Sequence, residues 1–184
     1  MKKILIALVA ILMVLPVMLA ACGKSEKTLE DIKKAGTITM ATCSGFEPFE
    51  ILGTDGKVTG VDVDIAQAIA DYLGVKLEIA DVDFDSIVPG VQSGKFDLGV
   101  AGITADDTRR KNVDFSVDYY YASQAIIILS TNTTITSAED VKKLTVGVQK
   151  GTTGASYCEK NGIKYNSCIS KLVHKIFNFL WSKL

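Results

Sequence analysis

Four short segments hold most of the side chains suited to gripping a small molecule: Cys43–Phe49, Asp81–Phe84, Gly102–Arg109 and Lys150–Gly154. Arg109 offers a planar guanidinium fork that matches a carboxylate with two parallel hydrogen bonds. Thr104 adds a hydroxyl and a backbone N–H, and Gly102 lets a ligand approach the main chain. The same stretch also reads as a solvated charge run, in which Arg109 and Arg110 pair with Asp106 and Asp107. Lys150-Gly151-Thr152-Thr153-Gly154 joins a strand to a helix start, where free N–H groups and the helix dipole favour an anion. It lacks the closing Gly-Lys-Ser/Thr of a phosphate loop. Phe46 and Phe49 flank Pro48, and Phe84 stands between Asp83 and Asp85. Phe49 reads as a core plug and Phe46 as facing a crevice. Phe46 and Phe84 opposite each other would make a slot as thick as one side chain. Two loops with anion donors and a third with aromatic walls suit a small molecule bearing a carboxylate.

Other chemistries find less support. His174 is the only histidine, and no Cys/His group has the spacing of a zinc site. No cofactor motif and no metal site are expected. The formal charge of −1 averages a cationic start (Lys2 and Lys3, no acid), an acidic stretch over 22–166 and a basic end. That end holds Lys171, Lys175 and Lys183 and no acid. An acidic body argues against nucleic acid as a partner, since phosphate binding needs a basic surface.

The elements that must position these loops alternate between two periods. Thr28 caps a helix through Lys34, stopped by Gly36, and Thr37–Thr42 alternates with period two as a strand. Asp55-Gly56 signals a turn. Asp62–Leu73 places Ile65, Ala66, Ile69, Ala70 and Leu73 on one helical face, closed by Gly74. A strand is expected at Val75–Ala80, a helix at Phe84–Ser93, a strand at Asp97–Ala101 and at most a short helix at Thr108–Val113. Gln124–Leu129 reads as an apolar strand. Ser137 to Asp140 reads as a capping box opening a helix to Lys143. Leu144–Gln149 reads as a strand and Thr153–Asn161 as a helix. Strands alternating with helices imply an α/β fold with a largely parallel sheet, and ligands sit outside the carboxyl ends of such strands. Those ends are where the four loops fall.

The N-terminus carries a separate signal. Lys2 and Lys3 precede 18 uninterrupted apolar residues, Ile4–Ala21, and then Cys22. The length overlaps that of a membrane-spanning helix, but the flanks favour a secretory signal peptide. Leu19-Ala20-Ala21-Cys22 resembles a bacterial lipobox, which implies lipidation of Cys22 and anchoring to the membrane surface. An uncleaved anchor helix is the alternative. Residues 1–21 then form the signal and 22–27 a polar tether. Export makes a disulfide possible, and Cys158 and Cys168 are spaced to close a small loop.

Residues 28–166 resemble the substrate-binding proteins of polar amino-acid ABC transporters, the type II periplasmic-binding-protein class (solute-binding protein family 3). The matching strings are GFEPFE (45–50), DGKVTGVDVDIAQAIADYLG (55–74), DVDFDSIVPGVQSGKFDLGVAGITADDTRRKNVDFS (81–116), YYYASQ (119–124) and VGVQKGTTG (146–154). The resemblance implies two α/β lobes joined by crossing strands, closing on an amino acid and working as a monomer with a transporter permease. It also implies that Arg109 clamps the α-carboxylate, with Thr104 and the N–H of Thr152 or Thr153. The Gly102 carbonyl would take the ammonium, Phe46 and Phe84 would sandwich the side chain, and Gln149 would be a polar contact from the second lobe. Lobe one would span 28–122, with a hinge strand and the start of lobe two over 123–166.

There are two departures. Cys43 stands where some members place an acid that selects the ligand side chain, which leaves the choice of amino acid open; Glu47 hints at a cationic ligand. Family chains also cross back to complete lobe one and supply an acid for the ligand ammonium, and neither has a counterpart after Asn166. Residues 167–184 form an amphipathic basic tail, with Ile169, Leu172, Val173, Ile176, Phe177, Leu180, Trp181 and Leu184 on one helical face. The tail reads as a helix resting on the membrane, as a cover for exposed lobe core, or as out-of-frame sequence. The chain therefore reads as a C-terminally truncated binding protein. Its alternatives are an inactive fragment, or a dehydratase-like enzyme on the same fold with Glu47 as its acid or base.

Overall fold

The computed structural model describes residues 27–168. The expected signal segment, Cys22 with its tether to residue 26, and the tail from residue 169 lie outside them. Helix α1 (Leu29–Ala35) opens on a full capping box: Thr28 Oγ1 accepts from the Asp31 N–H, and the Asp31 carboxylate accepts from the Thr28 N–H. Gly36 closes it in the left-handed conformation. Strand β1 (Thr37–Thr42) follows directly. A hairpin of β2 (Ile51–Leu52) and β3 (Val58–Thr59) turns through Asp55-Gly56. Helix α2 (Val61–Leu73) then leads to β4 (Lys76–Asp81), helix α3 (Phe84–Gln92) and the short strand β5 (Leu98–Gly99).

The first sheet has the order β4-β1-β5, all parallel, so α2 and α3 carry the chain to opposite sides of β1. A central parallel strand is covered on both faces. Ala41 and Cys43 join a buried cluster with Ile87, Phe96 and Ala101, while the alternate residues Ile38, Met40 and Thr42 are also buried. Strand β5 is shorter than the expected Asp97–Ala101. The ladder still reaches beyond it at both ends, through Asp97 N–H to the Thr39 carbonyl and Val100 N–H to the Ala41 carbonyl. The start of β5 is pinned by Asp97, whose side chain is 5% exposed and bonds the Thr39 N–H, the Thr39 hydroxyl and Lys27 Nζ.

A second parallel pair, β6 (Thr145–Gln149) and β7 (Lys164–Cys168), flanks helix α4 (Thr153–Lys160). Val141, Cys158 and Ile163 form its small core, and the Cys158 thiol is free. Strand β7 has no counterpart among the elements expected from sequence. Two expectations need correcting. Ser137–Lys143 makes a single 3-10 turn over Asp140–Lys143, because the Asp140 carboxylate gathers the N–H groups of Thr136 and Ser137 into a local turn. Gln124–Leu129 forms no strand and joins no ladder. No described strand runs beside it, and Ile126, Ile127, Ile128 and Leu129 stay exposed, Leu129 at 79%. A strand needs a neighbour to satisfy its backbone, whatever its side-chain pattern.

Asp97 gives this lobe a pH signature. Burial raises its pKa, but the bonds from Lys27 and Thr39 outweigh burial and hold it below the ordinary carboxylate value. Its stabilisation is thus complete above the unfolded value of about 3.9 and is lost as pH falls through the lower folded value. Asp97→Asn is expected to cost about 1–3 kcal/mol at pH 7. The deficit should shrink below about pH 4, as read from urea denaturation across pH; a deficit independent of pH would contradict the assignment.

Candidate functional site

The carboxyl end of β1 and the loops after β4, β5 and β6 converge on one crevice, where the order of a parallel sheet leaves room for a ligand. Arg109 lies at its centre, at the start of a 3-10 turn (Arg109–Lys111) whose entry is fixed by Asp106 Oδ1 accepting the N–H groups of Thr108 and Arg109. Its side chain is 12% exposed. Nη1 donates to the Thr104 carbonyl at 2.7 Å, and Nη2 donates to the Gly151 carbonyl at 2.8 Å. The guanidinium stands 5.6 Å from the Phe84 ring centroid, a cation–π arrangement, and Nε lies 3.7 Å from Asp106 Oδ2. Burial lowers its pKa and Asp106 pushes it back, which leaves a charged fork. Phe84, Asp85, Val88, Ile103, Arg109 and Gly151 line a small cavity of about 90 Å³ beside it.

The loop after β6 reaches across to the same place. Lys150 Nζ pairs with Asp85 at 2.7 Å. Gly151 lies so close to α3 that a Cβ there would come within 2.8 Å of the Asp85 Cβ, at a left-handed φ of 75°. Both facts favour glycine at this position. Thr152 caps α4: its hydroxyl accepts from the Ala155 N–H and donates to the Gln149 carbonyl. Thr153 Oγ1 accepts from Gln124 Nε2 at 2.8 Å. Gln149 Nε2 donates to Cys43 Sγ at 3.6 Å, so a polar contact spans the two sheets at the floor of the crevice.

The structure therefore gathers Thr104, Arg109, Phe84 and the 149–153 loop. Phe46 lies over Gly102 at the edge of this group. The Phe46 ring stacks on Phe49 with centroids 5.5 Å apart and covers Gly102, while Phe49 meets Tyr120 edge-on at 5.0 Å. The 45–50 turn that sets this is closed by the Glu50 carbonyl accepting from Gly45 and Phe46. Phe49 is half-buried in an aromatic row with Phe46 and Tyr120.

Sequence reasoning missed the support beneath Gly102. Asp62, in the first turn of α2, is fully buried. Its Oδ2 accepts the Gly102 N–H at 2.8 Å and its Oδ1 accepts the Tyr119 hydroxyl at 2.9 Å. Glu50 is fully buried nearby; no N–H or hydroxyl of the described residues reaches its carboxyl oxygens, and its own proton faces Asp62. Burial first, then the charge of Asp62, pushes its pKa up to about 9, so it is neutral at pH 7. The same two causes raise the Tyr119 hydroxyl. The available signal was an acid at each of two positions in apolar surroundings, the end of GFEPFE and the start of an amphipathic helix.

This arrangement of loops is shared with proteins whose sequences are similar. Residues 38–177 match the family model of bacterial extracellular solute-binding proteins, family 3, a match that takes in part of the segment after Asn166. The chain belongs to that family. It is 38% identical over 151 residues to the arginine-binding extracellular protein ArtP of Bacillus subtilis, covering 82% of this chain and 57% of that protein. It is 32% identical over 137 residues to the L-cystine-binding protein TcyJ of Escherichia coli, covering 74% and 52%. The chain spans about half the length of these curated relatives. Among solved structures, holo ArgBP from T. maritima superposes with a TM-score of 0.75 at 34% identity, covering 81% of this chain and 67% of that one. An ancestral arginine-binding protein bound to arginine superposes with a TM-score of 0.67 at 42% identity, covering 72% and 61%.

Glu50 supplies a test of the buried acids. With a folded pKa above its unfolded value, the folded state holds a proton that the unfolded state has lost, so stability falls as pH rises from about 4 toward 9. Glu50→Gln removes that slope. The variant should match the parent near pH 4 and be more stable by on the order of 1–3 kcal/mol at pH 7. Parallel stability curves would contradict it.

Proposed function

We propose that this chain captures a polar or charged amino acid outside the cytoplasm for an ABC importer. The observation that carries this reading is the Arg109 fork. It is enclosed, charged and stacked on Phe84, and it stands between the Thr104 carbonyl and the loop that opens α4. A carboxylate entering here meets a bidentate donor and the N-terminal N–H groups of a helix, two arrangements that favour an anion without covalent chemistry. In this reading Arg109 holds the α-carboxylate with Thr104 and the N–H of Thr152 or Thr153, and the Gly102 carbonyl takes the ammonium. Phe84 and Phe46 wall the ligand side chain and Gln149 reaches it from the second sheet. The arginine, cystine and histidine named for its relatives are the first ligands to try.

In the same reading the chain is a monomeric, non-enzymatic binding protein that delivers its ligand to a permease and needs no cofactor or metal. Residues 28–122 and 123–166 act as lobes closing on the ligand, and Cys22 carries the lipid that anchors them to the membrane. A dehydratase reading requires an acid or base open to the crevice. Its candidate is Glu47, which is half-buried beside Pro48, whereas Glu50 is fully buried.

Two experiments follow. Calorimetry of residues 23–184 with L-arginine, L-histidine, L-cystine and L-glutamine should find one that binds. Arg109→Ala should weaken it at least about 30-fold, since truncating one partner of a buried charge pair costs about 2 kcal/mol or more. Arg109→Lys should recover only part of the loss, because an ammonium lacks the planar fork. Unchanged affinity in Arg109→Ala would contradict the site. In cells, Cys22→Ala should abolish incorporation of labelled fatty acid and release the protein from membranes; labelling that persists would rule out the anchor.

A further inference from the structure

Gly102 has an unusual setting for a residue on the crevice floor. Its φ of 53° is left-handed, and the Phe46 ring lies 3.3 Å from where a Cβ would stand. The peptide is therefore free to take other conformations unless something fixes it. Three elements meet at what does fix it. Asp62 comes from the first turn of α2, Gly102 from the loop after β5, and Tyr119 from the segment leading toward the second sheet. Glu50, the residue just before β2 and bridged to Phe46, brings its neutral carboxyl to the same carboxylate. Asp62 is fully buried, so each of its oxygens is worth satisfying, and its donors are the Gly102 N–H, the Tyr119 hydroxyl and the protonated Glu50 carboxyl.

We propose that Asp62 is the positioning residue of the binding crevice, holding the Gly102 peptide and the Tyr119 side chain in one geometry so that the crevice floor and the segment leading to the second sheet move together. The proposal rests on the reading that the crevice binds an amino acid through the Gly102 region, and it deepens that reading. It assigns Asp62 no contact with the ligand. Its effect passes through Gly102, which would present its carbonyl to the ligand ammonium. Tyr119, 57 positions from Asp62 in sequence, closes the same bond network. The groups that face the Asp62 carboxylate and can change charge are Glu50 and Tyr119, with Asp81 further off and bonded to Ser44.

The test measures Gly102 directly. Amide hydrogen exchange followed by NMR should show the Gly102 N–H protected in the parent chain, residues 23–184. Asp62→Asn leaves one oxygen as acceptor and adds an amide donor, and exchange at Gly102 should rise at least tenfold while Met40 in β1 keeps its protection. Tyr119→Phe removes a hydroxyl that bonds Asp62 and also meets the Gly102 backbone, and exchange at Gly102 should rise several-fold. L-arginine affinity, if the parent binds it, should fall about tenfold in Asp62→Asn and several-fold in Tyr119→Phe. Unchanged Gly102 exchange in Tyr119→Phe would overturn the proposal, including where Asp62→Asn does not fold. A parent that binds none of the amino acids would defeat the functional reading alone, because the exchange at Gly102 is measured without ligand.

Discussion

A carboxylate sealed from water with no cation beside it has to be satisfied by the donors its surroundings bring to it. Asp62 is such a group, and the first half of the chain is arranged around that requirement. Its donors among the described residues are the Gly102 N–H, the Tyr119 hydroxyl and the protonated Glu50 carboxyl. Meeting the requirement brings the N-terminus of α2, the end of β5 and the exit toward the second sheet to one point. The helix start is a favourable place for the charge, since the free N–H groups and the helix dipole both oppose its cost. Glu50 shows the other solution to the same problem: with no donors in reach it stays protonated.

Around this fixed point the crevice is built from two kinds of contact. Lobe contacts are made by β1, buried on both faces, and by the parallel ladders on either side of it. Polar contacts cross between the two sheets: Arg109 to the Gly151 carbonyl, Lys150 to Asp85, and Gln149 to Cys43. Polar contacts of this kind are exchangeable in a way that an apolar seam is not, because an entering carboxylate can replace a carbonyl as the partner of a guanidinium. In the proposed reading, that exchange is what lets the cleft close on its ligand. The fork that now holds a backbone carbonyl is the group best suited to hold a carboxylate instead.

Local signals in the sequence carried most of the architecture. Thr28 with Asp31, and the glycines at 36 and 74, mark helix ends by capping chemistry that depends only on near neighbours. The period-two run Thr37–Thr42 is β1 residue for residue. What failed to show was set by distant partners. Gln124–Leu129 has a strand's composition and no strand beside it among the described residues. Strand β7 has a partner, β6, but its own sequence, KYNSC, shows no apolar run or alternation, and Lys164, Asn166 and Ser167 stay exposed. In the crevice, Arg109 and the 150–154 loop could be picked out because their chemistry is rare at such positions. The contact of Phe46 with Phe49 could not, since ring stacking depends on a turn geometry that sequence spacing does not fix. Asp62 opens a helix, where an acid is ordinary, and only its distant partners Gly102 and Tyr119 single it out.

The central claim is that the enclosed guanidinium of Arg109 recognises the α-carboxylate of a free amino acid. Calorimetric titration of residues 23–184 with L-arginine and with L-arginine methyl ester, whose α-carboxylate is capped, isolates that contact while leaving the ammonium and the side chain unchanged. Saturable binding of the free amino acid with loss of binding for the ester is the result this account predicts; equal affinity for the two would contradict it.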